Sequence, residues 1–360
     1  MNDSRINFEE AVAERYSAAA KERTPSLCCP VKYNDKYLAV IPAEILDRDY
    51  GCGDPSEFLN AGETVLDLGS GGGKICYIAA QVVGPTGRVI GVDMNDEMLA
   101  LARKYQDTIA RKLGFTNVQF RKGKIQDLAL DIEKLDEELS HTSCPPGYLK
   151  MVAMADELRR TKPLVATESV DVVVSSCVLN LVEPAAKREL FNEIFRVLRK
   201  GGRTVISDIV SDQDVPAALQ RDPVLWSGCL AGAFREDLFL QAFADAGLHG
   251  IRILKRDRQP WRTVEGIEFR SVTIEAFKQR HARTEEARTL IYKGPFKEVV
   301  DDEDHRFKRG IAFSLCGERA QALSEPPYLN CFEIIDSGER AFRDMVIPQD
   351  AAGRESESCC

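Results

Sequence analysis

The stretch from Glu63 to Met94 constrains the fold most. An apolar run, ETVLDLGS, ends in a loop with Gly69, Gly71, Gly72 and Gly73, opens into the helical pattern KICYIAAQVV, and is followed by a second apolar run, GRVIGVDM. Strand-length apolar runs that alternate with helical segments build parallel strands joined by right-handed crossovers. The rhythm continues. NDEMLALARKYQDTIARKLG is predicted to be a helix capped by Asn95 and closed at Gly114, NVQFRKGKI a third strand, SVDVVVSS a fourth, AAKRELFNEIFRVLR a helix, and GGRTVISDIV a fifth strand. The expected fold class is α/β, with a mostly parallel sheet covered by helices. Residues 129 to 169, two helical stretches around HTSCPPG, interrupt the rhythm and read as an insertion.

At 360 residues the chain exceeds one ordinary domain. A net charge of -9 gives no electrostatic case for gripping a phosphate backbone, so no nucleic acid is expected as a partner. No apolar run is long enough to span a bilayer, so no membrane role is expected either. The polar start MNDSRINFEE lacks a signal peptide's apolar core, which makes the expected location cytoplasmic. No coiled-coil repeat or partner motif stands out, and a monomer is the expectation. There are 11 cysteines, an odd number with no CxxC pair, and the 4 histidines are scattered, which argues against both a disulfide scaffold and a zinc finger.

Glycines after the first strand let a ligand approach the backbone and the helix amino terminus. The loop lacks P-loop order, and Lys74 stands where a GxGxxG motif would have its last glycine. Asp93, ending the second strand, suits a ribose diol; its structural alternative is to cap the next helix. Asp127 either faces an adenine or caps a turn. Cys177 lies just beyond strand four, Cys229 lies in DPVLWSGCLAGAF beyond strand five, and Cys52 lies in DYGCGDP. Each could be a small core residue. Converging thiolates would instead hold a trivalent metalloid through soft-ligand bonds.

An acidic residue and glycines after strand one, an acid after strand two and a glycine pair before strand five, here Asp67, Gly69, Gly71, Asp93 and Gly201 with Gly202, resemble the signature of class I S-adenosylmethionine-dependent methyltransferases with a Rossmann-like sheet. The likeness covers roughly residues 62 to 210. It implies S-adenosyl-L-methionine as cofactor, with Gly69 and Gly71 beside its methionine moiety, Asp93 on the ribose and Ile125 with Gln126 around the adenine. Asp67, Met94 and Ser176 complete the expected cofactor-binding set.

YGCG at Tyr50–Gly53, SSCVLNL at Ser175–Leu181 and SGC at Ser227–Cys229 closely resemble the arsenite methyltransferase family. This likeness extends through most of residues 20 to 275. It implies arsenite and methylarsenite as substrates, trivalent arsenic bound by Cys177 and Cys229, and Cys52 joining during the cycle. An upstream cysteine, Cys28 or Cys29 of SLCCP, is implied to pair with Cys52, with an external thiol such as glutathione or a thioredoxin-like protein as reductant. Ser176 departs from the Asn common there, and the 129–169 segment is longer than the family leads one to expect.

The chemistry needs no strong base, because the arsenic lone pair attacks the electrophilic methyl carbon and the enzyme's task is alignment. The rival readings are a methyltransferase for a small organic acceptor and a non-catalytic metalloid-binding protein. The expected layout is an arm or lid at 1–60, a donor-binding domain at 61–210, an α+β cap over the substrate side at 211–350, and a polar tail at 351–360. The tail ends in Cys359 and Cys360, read either as a delivery or redox arm or as incidental thiols.

Overall fold

Because the central strands are covered on both faces, they are apolar at successive positions, and alternate side chains enter opposite layers. Leu66, Leu68, Val173 and Ile206 pack on one side with Leu190 and Ile194 of the helix Lys187–Val197. Val65, Val89, Val172, Val174 and Val205 pack on the other with Ile75, Ile78 and Ala79 of the helix Lys74–Val83. The computed structural model describes residues 8–24, 27, 31–141, 147–279, 288–301, 304–315 and 317–335.

The chain divides into two compact units, Met1–Gln279 and Arg280–Cys360. In the first, β1 (Thr64–Leu68), β2 (Arg88–Asp93), β3 (Val118–Lys122), β4 (Val170–Ser176) and β5 (Leu198–Ser211) run parallel in the order β3-β2-β1-β4-β5. Two short strands, β6 (Phe234–Arg235) and β8 (Arg262–Val264), lie beside β5 and β9. The sheet then continues through antiparallel β9 (Ile267–Phe277) and β7 (His249–Arg256). A division at 210/211 therefore falls inside this unit: strands within residues 211–279 extend the parallel sheet, with Ser207 of β5 opposite Thr273 of β9. Strand order reverses between β1 and β4, where doubly wound sheets open a crevice at the strands' carboxyl ends.

The expected helix after β2 is split into Asp96–Lys104 and Gln106–Leu113, meeting at Tyr105, whose hydroxyl hydrogen-bonds Glu44. Its caps fall as the sequence suggests: the Asn95 side chain accepts from the Met98 amide, and Gly114 closes it at φ 81°. The inserted segment forms the helices Ile132–Ser140 and Tyr148–Thr161.

The second unit holds the sheet β13-β10-β14 (β10 Arg288–Tyr292, β13 Ala312–Leu315, β14 Phe332–Ile335) and the hairpin of β11 (Glu298–Val300) and β12 (Arg306–Lys308). Its core is built on Leu290, Tyr292, Phe307 and Phe332. Among the described residues, no helix is long and apolar enough to cross a membrane.

Candidate active site

Gly69 leaves β1 at φ 66°, and a Cβ added there would lie 2.4 Å from Cγ1 of Val178. The absent side chain lets the segment after β4 close directly on the glycine loop. Gly71 N then donates to Asp93 Oδ2 at 2.8 Å, and Asn95 N donates to Asp93 Oδ1 at 2.9 Å. Asn95 caps the following helix, so Asp93 is left to lock the loop and face the crevice. Burial pushes its carboxyl above the usual range, while the backbone N–H groups of Asn95, Gly71 and Met94 act the other way.

Gly69, Gly71, Asp93, Met94, Ile125 and Gln126 line one cleft. Its opposite wall is the N-terminal helix Phe8–Lys21, which contributes Glu9, Val12, Ala13 and Tyr16. Gln126 donates to Glu9 at 3.2 Å, and Glu9 also pairs with Lys124 at 2.6 Å. Asp127 instead pairs with Arg159 on the inserted helix at 2.9 Å. A largely apolar slot with the half-buried Asp93 carboxylate beside a glycine loop fits a nucleoside joined to a short polar chain. Asp67 lies under the loop, accepts from Cys76 Sγ at 3.2 Å, and has its pKa raised to about 7, mainly by burial. Lys74, at the position of the missing glycine, forms a 2.5 Å ion pair with Asp49 and lies 3.5 Å from the Tyr33 ring centre.

An adjoining cavity carries the glycine loop onward to Tyr50, Gly51, Ser176 and Cys177. Cys52, Cys177 and Cys229 belong to one buried cluster. The sulfurs of Cys52 and Cys177 and a carboxylate oxygen of Asp208 all lie within 4.8 Å of one another. Cys229 Sγ donates to the carbonyl of Cys177 at 3.0 Å, and the Tyr16 hydroxyl is 4.0 Å from Cys229 Sγ. Cys177 and Cys229 both adopt left-handed backbone, at φ 64° and 62°, which costs a residue with a side chain roughly 1–2 kcal/mol.

Each cysteine segment has its own fastening. Ser176 Oγ accepts from the amides of Cys52 (3.2 Å) and Gly53 (3.3 Å) and donates to Gly53 O (2.9 Å). Ser271, on β9, donates to Cys52 O at 2.7 Å. Around Cys229, Arg15 reaches Val224 O and Ser227 Oγ, and the Phe8 ring stacks 4.1 Å from Trp226. Cys28, Cys29 and the terminal Cys359 and Cys360 lie outside the described residues.

Comparison with known proteins agrees with this arrangement. Residues 59–247 match a methyltransferase domain family, and residues 279–356 match a domain of unknown function. An arsenite methyltransferase of Aquipseudomonas alcaligenes is 30% identical over 100% of both chains. The human arsenite methyltransferase is 30% identical over 86% of this chain and 76% of its own. The chain belongs to the arsenite methyltransferase family. In structure it is similar to CrArsM, an arsenic(III) S-adenosylmethionine methyltransferase from Chlamydomonas reinhardtii, at a TM-score of 0.56 and 28% identity over 86% of this chain and 95% of that one.

As a member of this family, the chain contributes residues to the site that sequence reasoning missed. Asp208 and Asn180, both fully buried, sit between the cysteine loops. The available signal was a polar residue inside the apolar run TVISDIV and another inside the cysteine motif, since buried polar groups carry information that buried apolar ones do not. Tyr16 and Lys74 gave no comparable signal.

Proposed function

We propose that this chain transfers methyl groups from S-adenosyl-L-methionine to trivalent arsenic held by Cys177, Cys229 and Cys52. The observation that carries this reading is the continuity of the glycine-loop cleft with the buried cysteine cluster: Gly69, Gly71 and Val178 line both the cleft and the cavity that reaches Cys177.

The donor supplies an electrophilic methyl on a sulfonium sulfur. Asp93 offers carboxylate oxygens to a ribose diol, and Ile125 with Met98 gives an apolar bed for a base. Thiols displace hydroxide from arsenite, each thiol proton leaving with a hydroxide as water. This fixes the arsenic, and its lone pair then attacks the methyl carbon in line; catalysis comes from alignment, with no general base required. The methylated arsenic is formally oxidised by two electrons. Cys52 with Cys28 or Cys29 returns those electrons by closing a disulfide, which an external thiol, glutathione or a thioredoxin-like protein, reopens. Arsenite and methylarsenite are the successive substrates.

The test is mass-resolved analysis of products from purified protein with arsenite, donor and a thiol. Wild type is expected to give methylarsenicals, and Cys177→Ser and Cys229→Ser to lose them while still binding donor. Unchanged product from either serine variant would overturn the sulfur-anchored reading.

A further inference from the structure

Cys177 and Cys229 are 52 residues apart, on different loops, yet both must present sulfur to one arsenic atom. Each holds left-handed backbone, a conformation that survives only where the surroundings dictate it. Besides the hydrogen bonds from Cys229 Sγ to the Cys177 carbonyl and from Trp226 Nε1 to the Leu181 carbonyl at 3.2 Å, the two loops are joined by Asn180, which is completely buried. Its Nδ2 lies 2.9 Å from Asp208 Oδ1, 2.6 Å from the carbonyl of Ile209 and 3.3 Å from the carbonyl of Cys229. Asp208 Oδ2 in turn accepts from the Leu179 amide at 2.9 Å, and Oδ1 accepts from the Ile209 amide at 2.8 Å. The two side chains therefore join the turn after Cys177, the end of β5 and the turn at Cys229.

The fit is tight on the remaining side. A Cβ added to Gly232 would come within 2.0 Å of the Asn180 carbonyl, so the backbone after Cys229 packs directly on the backbone after Cys177. Nearby, Lys187 Nζ donates to the Gly232 carbonyl at 2.5 Å.

We infer that Asn180, anchored on Asp208, is a positioning residue that sets the separation of the Cys177 and Cys229 sulfurs and thereby lets both bind one arsenic atom. The inference rests on the proposed role of those two cysteines. Asn180 touches neither the donor cleft nor the arsenic; it acts through the backbone of the two ligand loops.

The experiment compares wild type, Asn180→Ala and a control, Ile109→Ala, a buried truncation in the helix Gln106–Leu113 remote from the cysteines. The readouts are the arsenic–sulfur coordination number by X-ray absorption on the arsenite complex, KM for arsenite, kcat, and donor affinity. Asn180→Ala is expected to lose an arsenic–sulfur bond in favour of oxygen and to raise KM for arsenite about tenfold or more, with donor affinity within about twofold of wild type. The control is expected to lose stability and keep the coordination. Asn180→Ser, which keeps a donor and leaves a smaller void, serves if the alanine variant does not fold, and is expected to shift the same readouts in the same direction by less. Wild-type coordination and KM in the Asn180 variant would overturn the inference. Absence of sulfur coordination in the wild type would overturn the cysteine-ligand reading itself, and this inference with it.

Discussion

A methyl group placed on Gly69 would lie 2.4 Å from Cγ1 of Val178, the residue immediately after Cys177. The glycine loop and the loop that carries Cys177 are thus in van der Waals contact at a point where no side chain fits. Gly69→Ala adds a clash to a left-handed backbone of φ 66° and is expected to perturb both loops. Calorimetric donor titration should show affinity weakened by about tenfold or more, and methylation should fall further than donor binding alone explains. Native circular dichroism should persist.

Ser176 holds the Cys52–Gly53 backbone by hydrogen bonds to two amides and one carbonyl. Ser176→Ala removes those three hydrogen bonds, each contributing about 0.5–1.5 kcal/mol. Cys52 is expected to alkylate faster with iodoacetamide, by about tenfold, followed by peptide mass spectrometry. Unchanged Cys52 reactivity would show that the strap is held elsewhere.

Lys74 and Asp49 form a nearly buried pair, with side-chain exposures of 9% and 19%. Lys74→Met removes one partner and strands the other charge near Asp67, whose pKa Asp49 already raises. Breaking such a pair costs about 3–5 kcal/mol when fully buried, and a loss near the lower end is expected in urea unfolding.

The carboxyl of Asp67 is raised to about 7 by burial, against about 3.9 in an unfolded chain. For a raised carboxyl the stabilisation is complete below the unfolded value and disappears as pH climbs through the folded one. Stability from this residue should therefore fall between about pH 4 and pH 7, by an amount on the order of 4 kcal/mol at most. Asp67→Asn should flatten that slope in urea midpoints measured across the window.

Asp127 and Arg159 pair at 2.9 Å in a partly exposed setting, which ties Asp127 to the inserted helix. Asp127→Asn is expected to leave donor affinity within about twofold and to cost less than about 1 kcal/mol. Hydrogen exchange should quicken in Tyr148–Thr161 alone.

What could be read in the chain was local. The strand–loop–helix run around Gly69, the acid at Asp93 and the cap at Asn95 each announce themselves within a few residues, and the structure puts them at one crevice. The pairing of β9 with β5 could not be read this way. An antiparallel strand joining across 66 residues, as between Ser207 and Thr273, leaves no local trace, so residues 211–279 read as a cap when they extend the sheet. Asn180 and Asp208 were hidden for the same reason: their bond spans 28 residues and depends on the return of β5 beside β4. Ser176, expected at the cofactor, lines the cavity beside the glycine loop, and its hydroxyl also fastens the Cys52 strap, a link that only the fold of the preceding segment determines.

The left-handed backbone at Cys177 and Cys229 has a consequence for laboratory evolution. Glycine would relax the backbone at both positions at the cost of a small buried side chain, so a library sorted for heat tolerance alone has no reason to keep cysteine there, and on the proposed role of the two sulfurs its survivors would no longer grip arsenic. Any such campaign needs a selection on arsenical turnover in every round, because at these two positions robustness and reactivity pull the sequence in opposite directions.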